Sequence, residues 1–273
     1  PVPFAGDKRI FVADMFYDIS HPVRREFHRK YIRQCLDNFA DDANVVQLIS
    51  AEFTGPLHFV QFWLDVIGEW EKETGKKATV ALSATKDGQD AILNDTQRAK
   101  LVDIIDIRYW HYKVDGLYAP EGGKNLAPRQ HARKMKVGKV TFDEAYRAVS
   151  EYRKKFPEKA VTYYAQNYPD MVWVVSCSVV PVADESFLTD AAAMDMEDTG
   201  TNKYQKLVKS GIGSIIYSHS ATDIPVHLSP GKYILKSVDP KTGAITVIAK
   251  RLNIKDIYML KAEENKDCIY WFH

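Results

Sequence analysis

Carboxylate side chains stand at the ends of apolar, strand-like runs in this sequence. Glu52 follows the run VVQLISA, and Thr54-Gly55-Pro56 ends that run two residues later. A buried, ionised carboxylate costs several kcal/mol unless it is paired, but at the carboxyl end of a strand it can face a cleft. Asp18 comes after a similar run that ends at Phe16. Two carboxylates so placed could act as a general acid and a general base.

Each carboxylate also has a purely structural interpretation. Glu52 could pair with an arginine such as Arg108, whereas aromatic neighbours would raise its pKa as a general acid requires. Asp18 opens the stretch Asp-Ile-Ser-His-Pro, which is a good helix-entry turn. Asp170 follows Pro169, and this order favours a turn residue. In DIIDIRYWHY, Asp106 and Arg108 should share the inward face and form an ion pair.

Elements that could position these residues alternate along most of the chain. Apolar runs rich in β-branched residues predict strands, and stretches with a 3.6-residue period predict helices. Such alternation predicts a parallel sheet with helices outside it. The predicted strands cover residues 9–16, 44–53, 79–83, 103–112, 161–166 and 172–180, and the predicted helices cover residues 20–39, 56–75, 87–101, 141–156 and 185–196.

Two features favour a (β/α)8 barrel over an open, doubly wound sheet. No glycine-rich phosphate loop follows any strand. Polar and aromatic residues also collect where strands end, which is where a barrel builds its site. We therefore expect a cleft around Glu52, although core packing is an alternative for Trp110. The expected lining residues are Tyr17, Trp110, His111, Tyr164, Gln166 and Asn167.

The pattern changes near Gly200. Short alternating runs separated by turn signals predict a small antiparallel β-sandwich over residues 201–273, after a barrel-type domain over residues 1–200. The predicted strands of this second domain cover residues 214–219, 232–238, 244–249, 256–261 and 268–272.

Composition narrows the function classes. The 273 residues are 45% hydrophobic and 27% charged, with a net charge of +1, so no basic excess indicates nucleic acid. No apolar run approaches the roughly 18 residues of a membrane span. Three scattered cysteines predict buried thiols, and the histidines show no metal-ligand spacing. We expect neither a metal nor a cofactor.

Two stretches and the tail resemble parts of known enzymes. VVQLISAEFTGP resembles the fourth strand of the retaining (β/α)8 glycoside hydrolase superfamily, and DIIDIRYWHY resembles its sixth strand. The tail YSHSATDIPVHLSPGKYILKSVDPKTGAITV is similar to a small β-sandwich, labelled a collagen-binding domain, that follows such barrels in gut-bacterial polysaccharide-degrading enzymes.

This resemblance implies a role for Glu52 as the acid/base at the end of strand four. It also implies a nucleophilic glutamate at the end of strand seven, where this chain has Ala165 or Gln166, and an asparagine where it has Ala51. The likeness begins at strand three, so the resemblance implies that the first two βα units are missing. A periplasmic or secreted bacterial protein is implied as well.

Two functions from different classes follow. The first is a glycoside hydrolase acting on a plant or host polysaccharide, with Glu52 and Asp18 as its carboxylates, since glycoside hydrolysis needs two. The second is a non-catalytic carbohydrate- or protein-binding protein on a degenerate barrel. Arg129, in the basic loop 113–139, could bind an acidic sugar or be solvated. An exposed sheet edge at residues 9–16 could support a homo-oligomer.

Overall fold

A computed structural model describes residues 15–108, 110–119, 142–163, 184–197, 199–201, 203–218, 222–240, 242–264 and 266–273. The chain forms two compact units, Pro1–Ala165 and Gln166–His273, which are described in turn.

The first unit is built on a four-stranded parallel sheet. Its strands are β1 (Val46–Phe53), β2 (Thr79–Ala84), β3 (Ile104–Ile107) and β6 (Ala160–Tyr163), and they lie side by side in that order. Spatial order follows chain order, and parallel crossovers are right-handed, so the connecting helices lie on one face of the sheet. A short antiparallel hairpin, β4 (His111–Lys113) and β5 (Gly116–Tyr118), follows β3. The predicted mixed α/β fold with a parallel sheet is confirmed.

Helices α1 (Pro22–Asp37), α2 (Leu57–Thr74), α3 (Lys86–Asn94), α4 (Thr96–Ala99) and α5 (Phe142–Lys155) flank this sheet. Local chemistry sets their ends. Gly75 stops α2 in the left-handed conformation, with φ at 70°. The helix predicted over residues 87–101 is split in two, because the Asp95 carboxylate accepts hydrogen bonds from the backbone N–H groups of Gln97 and Arg98 and starts α4.

The amino-terminal edge differs in part from the prediction. Residues 9–14 of the predicted first strand lie outside the described residues, and residues 15–17 form a helical turn. On α1, Ile32 and Leu36 are buried, whereas Phe27 and Tyr31 are exposed.

The second unit is antiparallel. It contains α6 (Glu185–Ala193), β7 (Asp195–Glu197), β8 (Tyr204–Lys209), β9 (Gly213–Ser218), β10 (Asp223–His227), β11 (Gly231–Val238), β12 (Ile245–Ile254), β13 (Ile257–Lys261) and β14 (Cys268–Phe272). Six of these strands form one sheet in the order β12-β11-β14-β9-β8-β7, and β10 pairs with β13. Both sheets contribute to one apolar core, which includes Ile216, Ile224, Leu235, Leu260 and Phe272.

All five strands predicted after residue 200 are present. β7, which lies before the predicted domain boundary near residue 200, pairs with β8, which lies after it. The helix predicted to reach residue 196 ends at Ala193, since Met194 is extended and the next three residues form β7. The indole N–H of Trp271 donates to Asp190 at 2.9 Å and holds α6 against the sheet. At the opposite edge of the sheet, β12 exposes Val247 and Ile248.

Among the described glycines of the second unit, we expect Gly213 to tolerate a side chain least. A Cβ atom there would lie 1.9 Å from the backbone oxygen of Phe272, and its φ is +148°. Gly211 has a φ of +79° but no atom within 4 Å of such a Cβ. We expect Gly211→Ala to cost about 1–2 kcal/mol of unfolding free energy from backbone strain, and Gly213→Ala to cost clearly more. Denaturant unfolding of both variants measures the difference; equal losses would contradict the steric argument.

Candidate functional site at the carboxyl ends of the parallel strands

Polar side chains form a row across the parallel sheet near the carboxyl ends of its strands. On β2 and β3, Leu82 is in register with Ile105, so the next residues, Ser83 and Asp106, lie side by side. On β3 and β6, Asp106 is in register with Thr162. Residues in register share a face of a sheet. Their neighbours Leu82 and Ile105 on the helix-covered face are fully buried. We call Ser83, Asp106 and Thr162 the polar row; it lies on the face turned away from the helices.

Asp106 is the charged member of the polar row. One carboxylate oxygen accepts a hydrogen bond from the Thr162 hydroxyl at 2.7 Å, and the other accepts from Nε of Arg108. The Asp106 side chain is 6% exposed, and that of Arg108 is 32% exposed. The predicted ion pair is therefore present. Ser83 is buried, and its hydroxyl has no hydrogen-bond partner in the described part of the chain.

The backbone of Glu52 lies level with this row. Ile49 pairs with Leu82 and Phe53 pairs with Ala84, so β1 carries extra residues between these pairs. Such a bulge bends a strand and is common beside active sites. Glu52 directly precedes Phe53, which places residue 52 of the backbone at the level of Ser83. The Glu52 side chain lies outside the described residues.

Tyr17 packs beside the carboxyl end of β1. Its ring centroid is 5.7 Å from that of Phe53 and 4.9 Å from that of Phe59. Gly55 lies between these rings, because a Cβ atom there would be 2.6 Å from Phe53 and 2.9 Å from Tyr17. Burial raises the pKa of the Tyr17 hydroxyl. A side chain at position 55 would displace one of the two rings.

Asp18 takes part in the helix-entry turn. Its carboxylate accepts hydrogen bonds from the backbone N–H and the hydroxyl of Ser20 and from Arg24 at 2.6 Å. The Ser20 hydroxyl, followed by Arg24, lowers the pKa of Asp18 to about 2. A carboxyl group with this pKa is ionised at neutral pH and cannot serve as the general acid. Its contacts match the structural interpretation of Asp18.

Trp110 is fully buried, so its contacts match the core-packing alternative. Its indole N–H donates to Oε1 of Gln89 at 2.7 Å, and its ring packs edge-on against Tyr152. Gln89 in turn donates to the backbone oxygens of Leu82 and Asp106. Trp110 therefore joins the helix layer to the strands.

His111 is half-buried at the start of the hairpin. Its ring stacks on Tyr118 at 5.0 Å, and Nε2 is buried without a hydrogen-bond partner among the described residues. Burial, followed by the charge of Lys113, lowers the pKa of His111 to about 4. The imidazole is therefore neutral at physiological pH. Tyr118 was not predicted as a site residue. The turn Val114-Asp115-Gly116 was the signal for a hairpin that would bring it back to His111.

A buried lysine, also not anticipated, fixes this hairpin to two helices. Lys86 Nζ lies 3.0 Å from both Asp90 and Glu151. Tyr112 of the hairpin donates a hydrogen bond to Glu151. Burial alone would raise the pKa of Glu151, but hydrogen bonds from Lys155, Tyr112 and Lys86 lower it to about 2. The network keeps His111 and Tyr118 in place beside the end of β3.

Several cavities lie in the described part of the first unit, and two of them border the end of β1. One, of about 340 Å³, opens at the carboxyl ends of β1 and β2 and is lined by Phe53, Gly55, Pro56, Ala84, Thr85 and Asp87. The other, of about 370 Å³, lies between α1, β1 and α2 and has aromatic and aliphatic walls without a carboxylate. Phe53, the last residue of β1, lines both cavities, and the first also reaches Ala84 at the end of β2.

The remaining predicted site residues, Arg129, Tyr164, Gln166 and Asn167, lie outside the described residues. Among the residues that are described, no group of three or more His, Cys, Asp or Glu side chains could hold a metal ion. No helix in the described ranges is long and apolar enough to cross a bilayer.

Comparison with solved structures places the fold among those found in glycoside hydrolases. A glycoside hydrolase family 5 protein from Bacteroides vulgatus ATCC 8482 is similar with a TM-score of 0.52 and 11% identity, over 89% of this chain and 65% of that one. A structure titled "Glycoside hydrolase" has a TM-score of 0.45 and 12% identity, over 89% and 67%. The family 44 xyloglucanase of Paenibacillus polymyxa has a TM-score of 0.41 and 10% identity, over 89% of this chain and 69% of that one. The chain thus spans about two thirds of the length of these proteins.

The chain belongs to the family described as "Domain of unknown function (DUF6298)", whose model matches residues 1–194. No curated protein matches the sequence. The family description names no activity.

The depressed pKa of His111 predicts an acid-sensitive fold. An unfolded histidine binds a proton near its ordinary pKa of 6.5, whereas folded His111 resists protonation down to about 4. The unfolded state therefore binds more protons between these values, and stability falls as pH drops through that window. Between about pH 7 and pH 4.5 we expect the free energy of unfolding of the wild type to fall by on the order of 1–3 kcal/mol more than that of His111→Asn. Urea unfolding at both pH values measures this, and equal losses in the two proteins would refute it.

Proposed function

We propose that this chain is a carbohydrate-active hydrolase in which Glu52 serves as the general acid/base. The observation that carries the proposal is the register of the sheet. Residue 52 is the last but one of β1, within its bulge and level with a row of polar side chains, and the next residue, Phe53, lines a cavity at the carboxyl ends of the strands. Active sites of parallel α/β folds lie at those ends.

The scaffold we propose is a (β/α)8-type barrel represented by part of its strands. The four described strands are consecutive, without the reversal of order that defines a doubly wound sheet. The similarity to the family 5 glycoside hydrolase, at a TM-score of 0.52, supports the same choice. Residues 201–273 would then form a non-catalytic β-sandwich.

The substrate class we propose is a plant or host polysaccharide, degraded by a periplasmic or secreted bacterial enzyme. The similar family 5 structure comes from Bacteroides vulgatus. Tyr17 and the stacked pair of His111 and Tyr118 supply ring surfaces near the ends of β1 and β3. Aromatic faces of this kind suit sugar rings.

A second candidate function is carbohydrate or protein binding without catalysis. Hydrolysis of a glycoside needs two carboxyl groups around the bond. Within the polar row Asp106 is the one carboxylate, and each of its oxygens already accepts a hydrogen bond. Asp18 is held by Ser20 and Arg24. These contacts favour the binding alternative if no further carboxylate reaches Glu52.

The decisive variant is Glu52→Gln, which keeps the size of the side chain and removes its proton chemistry. In a screen of plant and host glycans for released reducing ends, we expect the wild type to hydrolyse at least one. Glu52→Gln should lose about 10²-fold or more of that rate while retaining its melting temperature and glycan binding. Glu26→Gln, on the exposed surface of α1, is the control and should keep full activity.

Full activity in Glu52→Gln would end the proposal. Glycan binding by the wild type without release of reducing ends would instead favour the non-catalytic alternative.

Asp18→Asn tests the other predicted carboxylate. Because Asp18 bonds to Ser20 and Arg24, we expect the variant to keep its hydrolytic rate within about twofold and to melt at a slightly lower temperature. A loss as large as that of Glu52→Gln would show that Asp18 acts in catalysis after all. The same glycan assay, run beside thermal unfolding, separates these results.

A further inference from the structure

A large apolar cavity lies between α1, β1 and α2, and its volume is about 370 Å³. Among its lining residues, Ile32, Phe59 and Ile67 are buried, whereas Phe16 and Tyr31 are exposed. The cavity therefore reaches from the core of the first unit to its surface. Protein interiors leave few voids larger than a water molecule, so a space of this size is unusual for a region that only packs.

We propose that this cavity binds a small, uncharged aromatic molecule of two fused rings that carries one hydroxyl group. None of the residues of the polar row lines it. The proposal therefore does not depend on hydrolysis at Glu52. The volume of the cavity, the rings in its walls and one amide each support a different part of it.

The volume sets the size of the ligand. An engineered cavity of about 150 Å³, lined by leucine, isoleucine and phenylalanine, stays dry and binds benzene. A cavity of about 370 Å³ has room for a second fused ring. Among the described residues that line it, none has an acidic side chain, a lysine or an arginine. A charged ligand would lose its hydration there without a counter-ion, so we expect an uncharged one.

The rings in the walls favour an aromatic ligand over an aliphatic one. Tyr17 packs edge-on against Phe59 with ring centroids 4.9 Å apart, and Phe59 packs edge-on against Trp63 at 5.9 Å. Tyr31 also meets Trp63 edge-on, at 6.2 Å. The face of an aromatic ring is electron-rich and its edge is electron-poor, so walls built this way offer both to a further ring. A saturated ligand of the same shape would gain from burial alone.

The turn at residues 15–17 forms one wall, and two histidines hold it. Nε2 of His28 lies 2.8 Å from the backbone oxygen of Phe16, and Nε2 of His58 lies 2.9 Å from that of Tyr17. Since His28 belongs to α1 and His58 to α2, both helices fix the position of this wall.

Contacts between α1 and α2 hold the two helices together. Arg29 of α1 pairs with Glu69 of α2. The indole N–H of Trp70 in α2 donates to Asp37 at the end of α1, at 2.7 Å. The cavity thus lies between elements that are already fixed, and a ligand that enters it has little ordering to bring about.

Gln47 supplies the polar contact for the hydroxyl group. It is the one side-chain amide among the described lining residues, and no hydrogen bond within the described ranges holds it. It shares its face of β1 with buried Ile49, because alternate residues of a strand point the same way. An amide can both donate to a hydroxyl group and accept from it. A purely apolar ligand would leave this amide unpaired, so a ligand with one hydroxyl group is favoured.

Titration calorimetry of the full chain with three matched probes tests the site. β-Naphthol has the rings and the hydroxyl group, naphthalene lacks the hydroxyl group, and β-decalol is the saturated analogue of β-naphthol. We expect one β-naphthol to bind per chain in the micromolar range. Naphthalene should bind about 3–10-fold more weakly, because it makes no hydrogen bond. β-Decalol should also bind about 3–10-fold more weakly, because it lacks the ring contacts.

Three variants locate the site. Cys35→Phe places a ring in the cavity, which Cys35 lines, and should weaken all three probes about 10-fold or more. Val23→Phe is the matched control, because Val23 is exposed on the same helix and does not line the cavity; it should change binding by less than about twofold. Gln47→Leu should weaken β-naphthol by about 3–10-fold and leave naphthalene within about twofold.

Alkylation of Cys35 gives a readout that needs no variant. Bound rings would cover this thiol, so β-naphthol should slow its reaction with N-ethylmaleimide by about 3-fold or more, as measured by mass spectrometry of the labelled peptides. Cys268 belongs to the apolar core of the second unit and is the internal control. Its reaction rate should not change.

Absence of saturable β-naphthol binding, or equal β-naphthol affinity in Cys35→Phe and the wild type, would overturn the proposal. Equal affinity for β-decalol would overturn the aromatic assignment, and unchanged β-naphthol binding in Gln47→Leu would overturn the role of Gln47. If Cys35→Phe does not fold, as judged by circular dichroism, the protection of Cys35 in the wild type decides. Equal slowing of Cys35 and Cys268 would then contradict binding in the cavity.

Discussion

The carboxylate of Asp106 is the most demanding group in the first unit, and the carboxyl-end face is arranged around it. A charge in the middle of a parallel sheet needs donors on both oxygens, because desolvation costs several kcal/mol. Thr162 supplies one donor only because β3 and β6 are in register, and Arg108 supplies the other only because it follows β3 on the same face. A slip of one residue would turn Asp106 toward the helices. The two oxygens of Asp106 therefore receive their donors only when the register of the sheet and the position of Arg108 are both correct.

A second constraint acts from the helix side. Gln89 donates to the backbone of both β2 and β3 and accepts from Trp110, so one amide ties a helix to two strands. Lys86 binds Asp90 and Glu151, and Tyr112 of the hairpin donates to Glu151. These contacts fix the hairpin that carries His111 and Tyr118. The rigid parts of the candidate site are therefore held by polar groups in the helix layer, and the apolar helix-facing residues of the strands exclude water around them.

Much of the fold could be predicted from the sequence because it depends on local patterns. Apolar runs rich in β-branched residues marked β1, β2 and β3, and Gly75 marked the end of α2. Predictions failed where one side chain decided between two local structures. The Asp95 side chain caps a new helix within a stretch whose apolar pattern predicts one continuous helix. A separate failure is α6, which ends early because the backbone at Met194 is extended.

The site was harder to predict, because it depends on contacts between distant residues. A buried tryptophan and a sugar-stacking tryptophan look the same in a sequence. The full burial of Trp110 and its hydrogen bond to Gln89 match the packing role. The turn that contains Asp18 could equally hold a carboxylate for structure or for catalysis, and the ion pair with Arg24 matches the structural role. Asp106 and Arg108 were predicted correctly, since alternation within one strand is enough to place both on one face.

The edge strand β12 has a consequence for the chain in solution. It is ten residues long, borders the six-stranded sheet and exposes Val247 and Ile248. An exposed apolar edge offers unpaired backbone groups to a strand from another molecule. Lys250 and Arg251 follow on the same strand, and two positive charges that approach their own copies repel each other. Colloidal stability at low ionic strength would therefore depend on these two residues, and added salt would weaken their protection because it screens the repulsion.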